Sequence, residues 1–233
     1  MSVRTLINEV RAKDPLLVFL AETKVGTSRI KGIQTKLEYT QGIVVQSDGW
    51  SGGLALLWRE GTEVSFKSCS NSHINVILRK DPILSLWRVT SFYGQPETEK
   101  RNISWQLLEA LKFQCDLPWI LFRDFNEIMC NSEKSRGLDR DARQIEGFRD
   151  CLSRCGPFDL GFMGQWFTWC NGCLGNQRTT LQLDRMVANE AWMRKFPKSL
   201  CSSFFNVYIQ PLPIGSFPQV KLATNSVEEA FLL

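Results

Sequence analysis

The stretch Arg123-Asp124-Phe125-Asn126-Glu127 follows directly on the apolar run Pro118-Trp119-Ile120-Leu121-Phe122. The run has the length and composition of a buried β-strand, so we expect it to present Asp124 and Asn126 at its carboxyl-terminal end. If the strand pattern continues through them, side chains two residues apart leave the same face. A carboxylate and an amide beside one reacting atom are typical of sites that cleave phosphodiester bonds.

Three further polar side chains follow strand-like runs elsewhere in the chain. Glu22 comes after the apolar residues 16–20, Tyr93 follows the run 87–92, and Asp184 follows residues 181–183. Four strands that offer polar groups at one end predict a functional site.

Hydrophobic spacing predicts a mixture of strands and helices. A helix with Val3, Leu6 and Val10 on one face ends before Pro15, a second starts near Thr98, and a third covers residues 141–154 with Asp141 as its N-cap. Strand-like segments cover residues 42–46, 54–58, 64–69, 74–78 and 86–92. Because helices and strands do not alternate regularly, the pattern predicts an α+β fold with sheets stacked between helical layers.

Composition indicates one globular domain. The chain has 233 residues, of which 43% are hydrophobic and 22% charged, so a sizeable core can be buried. A net charge of +4 permits a phosphate-rich partner without requiring one. No apolar run approaches the ~20 residues that cross a bilayer, and the first residues lack a signal-peptide core. We therefore expect no membrane partner and an intracellular location, nuclear or cytoplasmic.

The eight cysteines are expected to be thiols in such a compartment. Cys151, Cys155, Cys170 and Cys173 form a C-x3-C and C-x2-C series that could hold zinc. Cys151 and Cys155 also have the i, i+4 spacing of one helix face, where small thiols pack well. Packing is the favoured interpretation, and zinc is the alternative.

Six motifs follow one another in an order that resembles a known superfamily. They are the residues 20–24, 52–58, 91–96, 123–127, 167–171 and 183–189. The chain resembles the endonuclease/exonuclease/phosphatase (DNase I-like) superfamily, and most closely the endonuclease domain of plant LINE-type non-LTR retrotransposon polyproteins. The resemblance covers about residues 5–210. It implies a four-layer α/β/β/α sandwich over residues 1–210, followed by a divergent tail over 211–233 in which the strand pattern is lost.

The resemblance also implies a chemistry, which is Mg2+-dependent hydrolysis of phosphodiester bonds with nicking of DNA. By their motif positions, Glu22 would be the metal ligand, and Asp124 and Asn126 would orient the attacking water and hold the phosphate. Tyr93 would contact the phosphate, and Asp184 would orient a catalytic histidine. The residues alone also allow purely structural roles. Glu22 could pair with a neighbouring lysine, and Asp124 and Asn126 could form a local turn. Tyr93 could be a half-buried tyrosine at a strand end.

Three positions depart from the family pattern. The family's Ser-Asp-His-x-Pro segment reads Ile214-Gly215-Ser216-Phe217-Pro218 here, without the general base or the aspartate beside it. The one histidine, His73, lies in an ordinary strand pattern, which argues against a role as base. A first strand ending in Trp-Asn-x-x-Gly, the source of a catalytic asparagine, would precede the first residue, and its absence predicts an exposed strand edge.

Arg123 is the third departure, because the family usually has glycine before the aspartate. Glycine allows close approach of the backbone, whereas arginine brings a cation. We expect Arg123 to weaken Mg2+ affinity while it keeps an attraction for phosphate.

The function predicted from these observations is that of a retroelement-derived endonuclease with impaired activity. The alternatives are an inactive remnant that at most binds nucleic acid, and a small-molecule or phospholipid phosphodiesterase or phosphatase of the same superfamily. The expected partner is DNA or none, with no obligate protein partner. Trp50, Trp166 and Trp169 lie near glycines and could stack on bases, although core packing is the commoner role of tryptophan.

Overall fold

The structure is a computed structural model that describes residues 3–48, 51–79, 86–161, 166–197, 199–202, 206–209 and 220–226. Trp50 and the segment 214–218, which corresponds to the family's histidine segment, lie outside the described residues. Within the described part, no helix is long and apolar enough to cross a bilayer.

Five α-helices occur among the described residues. They are α1 (Val3–Lys13), α2 (Thr27–Leu37), α3 (Arg101–Lys112), α4 (Ala142–Cys155) and α5 (Glu190–Lys195). Asp141 caps α4 as predicted, because its carboxylate accepts a 2.9 Å hydrogen bond from the N–H of Arg143. Sequence patterns had not predicted α2 and α5.

Two six-stranded sheets form the centre of the part of the chain that the structure describes. In spatial order the first contains β13 (Leu200–Ser202), β14 (Asn206–Ile209), β15 (Val220–Ser226), β1 (Leu17–Ala21), β3 (Ser51–Trp58) and β2 (Gln41–Asp48). The second contains β4 (Glu63–Ser70), β5 (His73–Arg79), β6 (Trp87–Tyr93), β7 (Trp119–Asp124), β12 (Asp184–Ala188) and β9 (Phe158–Asp159). A small third sheet contains β10 (Trp169–Cys170), β11 (Thr180–Leu181) and β8 (Lys134–Ser135).

Strand β15 corrects the expectation that the tail lacks strand structure. It pairs in parallel with β1 over the full length of β1, while β3 pairs with the other side of β1. The exposed edge expected from a missing first strand is therefore not found at β1. Val220 and Leu222 alternate with Lys221, a pattern that fits a strand once β1 supplies a partner. The domain boundary at residue 210 stays a prediction.

Alternating side chains of the two large sheets meet in the main hydrophobic core. Leu17 and Phe19 of β1 share this core with Ile120 and Phe122 of β7. Helices α1 and α2 cover the other face of β1 and β3, and helices α3 and α4 cover the other face of the second sheet. This packing agrees with the predicted α+β class, in which sheets lie between helices.

The parallel pair β6 and β7 reaches one end of the second sheet together. At this end Gly94 donates a 2.7 Å hydrogen bond to the carbonyl of Asp124, so the turn after β6 lies against the turn after β7. A Cβ atom at position 94 would lie only 2.7 Å from the carbonyl carbon of Phe125. Only glycine, which has no Cβ, allows the two backbone segments to lie this close. Their contact sets the position of both strand ends.

We predict that Gly94→Ala lowers the free energy of unfolding by about 2 kcal/mol, because the added methyl group overpacks a backbone contact. The control is Gly32→Ala, where an added Cβ meets no atom within 4 Å. Since Gly32 lies in the interior of α2, this change should raise the free energy of unfolding by about 0.5–1 kcal/mol. Urea unfolding measures both, and equal effects of the two changes would contradict the prediction.

Candidate active site

Three of the predicted site residues lie side by side at one end of the second sheet. Tyr93 ends β6, Asp124 ends β7 and Asp184 begins β12. In the strand register Tyr93 pairs with Asp124, and Asp124 pairs with Asp184 across the antiparallel ladder. Paired residues share a face, so these three side chains project together. They project toward the first sheet, since Phe122 and Met186, two residues away, belong to the core between the sheets.

Glu22 reaches the same place from the first sheet. It follows the last residue of β1, and its Oε1 accepts a hydrogen bond from the hydroxyl of Tyr93. The two sheets are thus joined at this edge by a polar contact. Burial raises the pKa of Tyr93, and the hydrogen bond with Glu22 raises it further, so the phenol stays protonated and acts as a donor.

The backbone around Glu22 is held by the glycine pair at the start of β3. The N–H of Thr23 donates to the carbonyl of Gly53 at 3.1 Å, and the N–H of Lys24 donates to the carbonyl of Gly52 at 3.3 Å. Gly53 has a φ of +86°, and a Cβ there would lie 3.2 Å from the Cβ of Ser47. The two motifs quoted from the sequence, 20–24 and 52–58, therefore form one structural unit.

Asn126 reaches the site by a turn and not by continuation of the strand. Strand β7 ends at Asp124, and Asn126 has a left-handed φ of +55°, so the prediction that both residues share one strand face is wrong. Oδ1 of Asp124 accepts the N–H of Asn126 at 2.8 Å, and Nδ2 of Asn126 donates to the carbonyl of Gly94 at 2.7 Å. The local turn, which was the structural alternative for these two residues, is therefore present. The same turn brings the Asn126 amide close enough to Tyr93 to lower the pKa of that phenol.

The buried carboxyl groups of Asp124 and Asp184 both have raised pKa values. Burial raises the pKa of Asp124, and the negative charge of Asp184 raises it further. Burial also raises the pKa of Asp184, which is 8% exposed. The positive charge of Arg123 opposes both shifts. A pKa raised to about 8 lets Asp124 hold and release a proton near neutral pH, which is what acid–base chemistry requires.

Arg123 is held in a backbone conformation that favours glycine. Its φ is +115°, although it still pairs with Arg185 in the ladder. Such a conformation costs about 1–3 kcal/mol for a residue with a Cβ. The guanidinium is buried, and its Nη1 lies 3.8 Å from Oδ1 of Asp184. The expectation that Arg123 places a cation at the acidic site is consistent with this geometry.

Glu127, the last residue of the motif 123–127, lies in a buried ion cluster that the sequence did not reveal. Its side chain is fully buried, with Arg101 Nη1 at 2.6 Å and Arg140 Nε at 3.0 Å from its two carboxylate oxygens. Oε1 also accepts the N–H of Ile128 at 2.9 Å. The cluster fixes the loop that follows Asn126. Its partners lie 26 and 13 positions along the chain, so no local pattern signals it.

Thr168 is a second residue whose role the sequence did not show. Its Oγ1 accepts the N–H of Leu183 at 3.0 Å and that of Asp184 at 3.1 Å. Contact with the Thr168 hydroxyl lowers the pKa of Asp184 against the effect of burial. Thr168 therefore positions the start of β12. It lies inside the quoted motif 167–171, which is the signal that could have found it.

Solved structures with similar folds include several nucleases. The endonuclease domain of TRAS1, a telomere-specific non-LTR retrotransposon, is 16% identical over 79% of this chain and 90% of that domain, with a TM-score of 0.53. The AP endonuclease LMAP from Leishmania major is 15% identical over 94% of this chain and 83% of its own, with a TM-score of 0.61. For an AP endonuclease from Archaeoglobus fulgidus the identity is 15%, both coverages are 85% and the TM-score is 0.62.

The chain has a DNase I-like fold, as these nucleases do. At these identities the similarity establishes the fold and not the reaction. No protein-family model matches the chain, and no curated protein matches it in sequence.

His73 lies on the opposite face of the DNase I-like sheet from the acidic cluster. It pairs with Phe92 of β6, whose side chain packs against α3 and α4, whereas Tyr93 projects toward the first sheet. The imidazole is 4% exposed and bonds Ser68 at 3.0 Å and Ser70 at 2.8 Å. The structure agrees with the sequence argument that His73 is not the base of this site.

The residues at this edge of the DNase I-like fold do not fit a magnesium site. Glu22, the expected ligand, accepts the Tyr93 hydroxyl, while Arg123 lies beside Asp184. Across the described part of the chain, no three histidine, cysteine or acidic side chains are grouped so that they could hold a metal ion. The same finding argues against a zinc site formed by the four cysteines. Cys151 and Cys155 are buried, whereas Cys170 and Cys173 are exposed.

A groove of about 610 Å3 lies against the small third sheet. Strand β11 runs from this sheet toward β12, and Thr168 connects the same region to Asp184. Two exposed tryptophans are nearby in sequence, Trp166 at 48% and Trp169 at 43% exposure. The groove is lined by Ser135, Arg136, Phe167, Gly175, Asn176, Arg178 and Thr180.

We predict that His73 makes the fold sensitive to acid. Burial, with the charge of Arg88, lowers the pKa of His73 from 6.5 to about 4. The unfolded chain therefore binds more protons between these values, and stability is lost as the pH falls from about 7 toward 4. The loss attributable to this residue should be about 3 kcal/mol.

The measurement is the free energy of unfolding at several pH values for the wild type and for His73→Gln. No other histidine contributes, because the chain has only one. The wild type should lose stability more steeply than the variant in this pH window. Parallel curves for the two proteins would show that His73 does not titrate as described.

Proposed function

We propose that the chain binds DNA and hydrolyses its phosphodiester bonds slowly, as an impaired endonuclease of retroelement origin in a four-layer α/β/β/α sandwich. The observation that carries the proposal is the convergence of five side chains at one edge of two sheets. These side chains are Glu22, Tyr93, Asp124, Asn126 and Asp184.

Hydrolysis requires a water molecule that forms a new bond to phosphorus while the bond to the leaving oxygen breaks. Asp124 would accept the proton of this water, since its raised pKa makes it a stronger base than an exposed aspartate. The proton can then pass to the leaving oxygen. The negative charge of Asp184 raises the pKa of Asp124 and so favours the proton that Asp124 has accepted, as in other carboxyl pairs.

Donors are needed for the phosphoryl oxygens, because negative charge must be stabilised on them in the transition state. The amide of Asn126 and the hydroxyl of Tyr93 are the donors at this edge. Tyr93 already donates to Glu22, and Nδ2 of Asn126 already donates to Gly94. Both donors must therefore be shared or released when a phosphate binds, which is one reason to expect slow turnover.

The second reason for slow turnover is that no histidine serves as general base at this edge. A positioned general base contributes about 10²- to 10⁴-fold to the rate. His73 is on the wrong face of the sheet, so the aspartate pair would have to supply this function. We therefore expect a rate of hydrolysis that is low but depends on Asp124.

An inactive protein that only binds nucleic acid is the second candidate. It is favoured by the position of Arg123, whose charge counteracts the raised pKa values of both aspartates. The two candidates share the DNA-binding surface and differ in turnover alone.

The groove beside the third sheet supports binding of nucleic acid. Arg136 and Arg178 line it, and Arg136 Nη1 holds the loop by donating to the carbonyl of Gly175 at 2.9 Å. Exposed Trp169 adds an aromatic face on which a base could stack. Cations that line a groove can contact the phosphates of a DNA backbone, and such contacts supply much of the affinity for DNA.

Nicking of supercoiled plasmid tests hydrolysis. We predict slow nicking by the folded wild type, and a decrease of about 100-fold or more for Asp124→Ala, because this variant lacks the proton acceptor. Asp150→Ala is the matched control, since Asp150 is exposed on α4 and should nick like the wild type. Absence of nicking by protein with a folded circular dichroism spectrum would select the inactive binder, and equal nicking by Asp124→Ala would indicate a contaminant.

Salt-dependent binding tests the groove. We predict that Arg178→Ala weakens binding of a duplex oligonucleotide and reduces the slope of log K against log salt concentration by about 1, as expected for one lost phosphate contact. Arg149→Ala removes the same charge from an exposed position on α4 and should change neither quantity. Equal effects of the two variants, measured by fluorescence anisotropy, would place the DNA elsewhere.

A further inference from the structure

Arg123 is unusual in both its backbone and its side chain. It is the penultimate residue of β7, has a φ of +115° and is 5% exposed. A residue with a Cβ is rarely held in this region unless its surroundings fix it. The surroundings include the acidic cluster, because Nη1 of Arg123 lies 3.8 Å from Oδ1 of Asp184.

The carboxyl groups of the two aspartates are the ligands that a divalent ion would bind at this edge. They stand opposite each other in the ladder, and the charge of Arg123 acts on both. A guanidinium remains protonated at all pH values a protein meets. The site therefore holds a permanent positive charge within its own fold.

The other oxygen atoms at this edge also have donors. Glu22 accepts the Tyr93 hydroxyl, and Oδ1 of Asp124 accepts the N–H of Asn126 at 2.8 Å. A Mg2+ ion requires a near-octahedral set of oxygen ligands. To bind here it would displace these donors and lie a few ångströms from a fixed cation, where repulsion is strong.

We propose that Arg123 is a built-in cation that takes the place of a divalent metal ion at the pair formed by Asp124 and Asp184. The wild-type site then binds divalent ions weakly. Its contact with DNA is independent of them. The inference concerns the same site as the proposed function and rests on it for the substrate class, a phosphodiester.

The test is calorimetric titration of the purified chain with Mn2+, without DNA. Arg123→Gly should bind Mn2+ about tenfold or more tightly than the wild type, because the repelling charge is removed. Glycine suits the φ of +115°, so this variant should fold. Arg123→Ala removes the charge and keeps a Cβ, and it should also gain affinity. Arg123→Lys keeps a cation and should not.

Two controls locate the effect. Arg136→Gly also removes an arginine with a positive φ, of +62°, but from the loop after β8, and should leave Mn2+ affinity unchanged. Adding Asp184→Asn to Arg123→Gly should abolish the gain, because the ion loses its carboxylate.

Three outcomes would overturn the proposal. They are a wild type that binds Mn2+ as tightly as Arg123→Gly, a gain in the glycine variant but not in the alanine variant, and an equal gain in Arg136→Gly. The first shows that Arg123 does not exclude metal, the second assigns the effect to the backbone, and the third to net charge. Because no DNA is present, failure here is distinguishable from failure of the nicking experiment.

Discussion

The register of β7 between β6 and β12 is the constraint on which the site depends. It aligns Tyr93 with Asp124 and Asp124 with Asp184 on the face that looks toward the first sheet. A shift of one residue would turn every side chain of the strand to the other face. The register is fixed by burial, because Ile120 and Phe122 pack between the sheets and Leu121 packs under the helices. Core packing and site geometry are therefore set by the same contacts.

Backbone conformations that are rare for residues with a Cβ concentrate at this edge. Glu22, Lys24, Arg123 and Asn126 all have positive φ values. Each is held by contacts from neighbouring segments, such as the glycine pair of β3 and the turn at Gly94. Stored strain of this kind is commonly found where side chains must be aimed at a ligand. At Arg123 the strain places a cation among acids, and this distinguishes the site from an ordinary carboxylate cluster.

Much of this arrangement could be predicted from sequence because its signals are local. The apolar run before Asp124, the cap at Asp141 and the polar residues after strands all follow from short patterns. Helix α2 has a weaker signal: Ile30, Ile33 and Leu37 have helical spacing, but the N-cap Gly26 offers no side chain to mark the start of the helix. Strand β15 depends on a partner about 200 positions away, which no local pattern reveals. The ion cluster at Glu127 and the φ of Arg123 likewise result from tertiary contacts.

The central claim is that the edge shared by Glu22, Tyr93, Asp124 and Asp184 receives a phosphodiester. A crystal structure of the chain with a short DNA duplex tests it most directly. We expect a backbone phosphate at this edge, with Tyr93 or Asn126 donating to its oxygens and the flanking DNA strand passing the groove at Arg178. Phosphates bound only at other faces, with the hydrogen bond between Tyr93 and Glu22 undisturbed, would contradict the account.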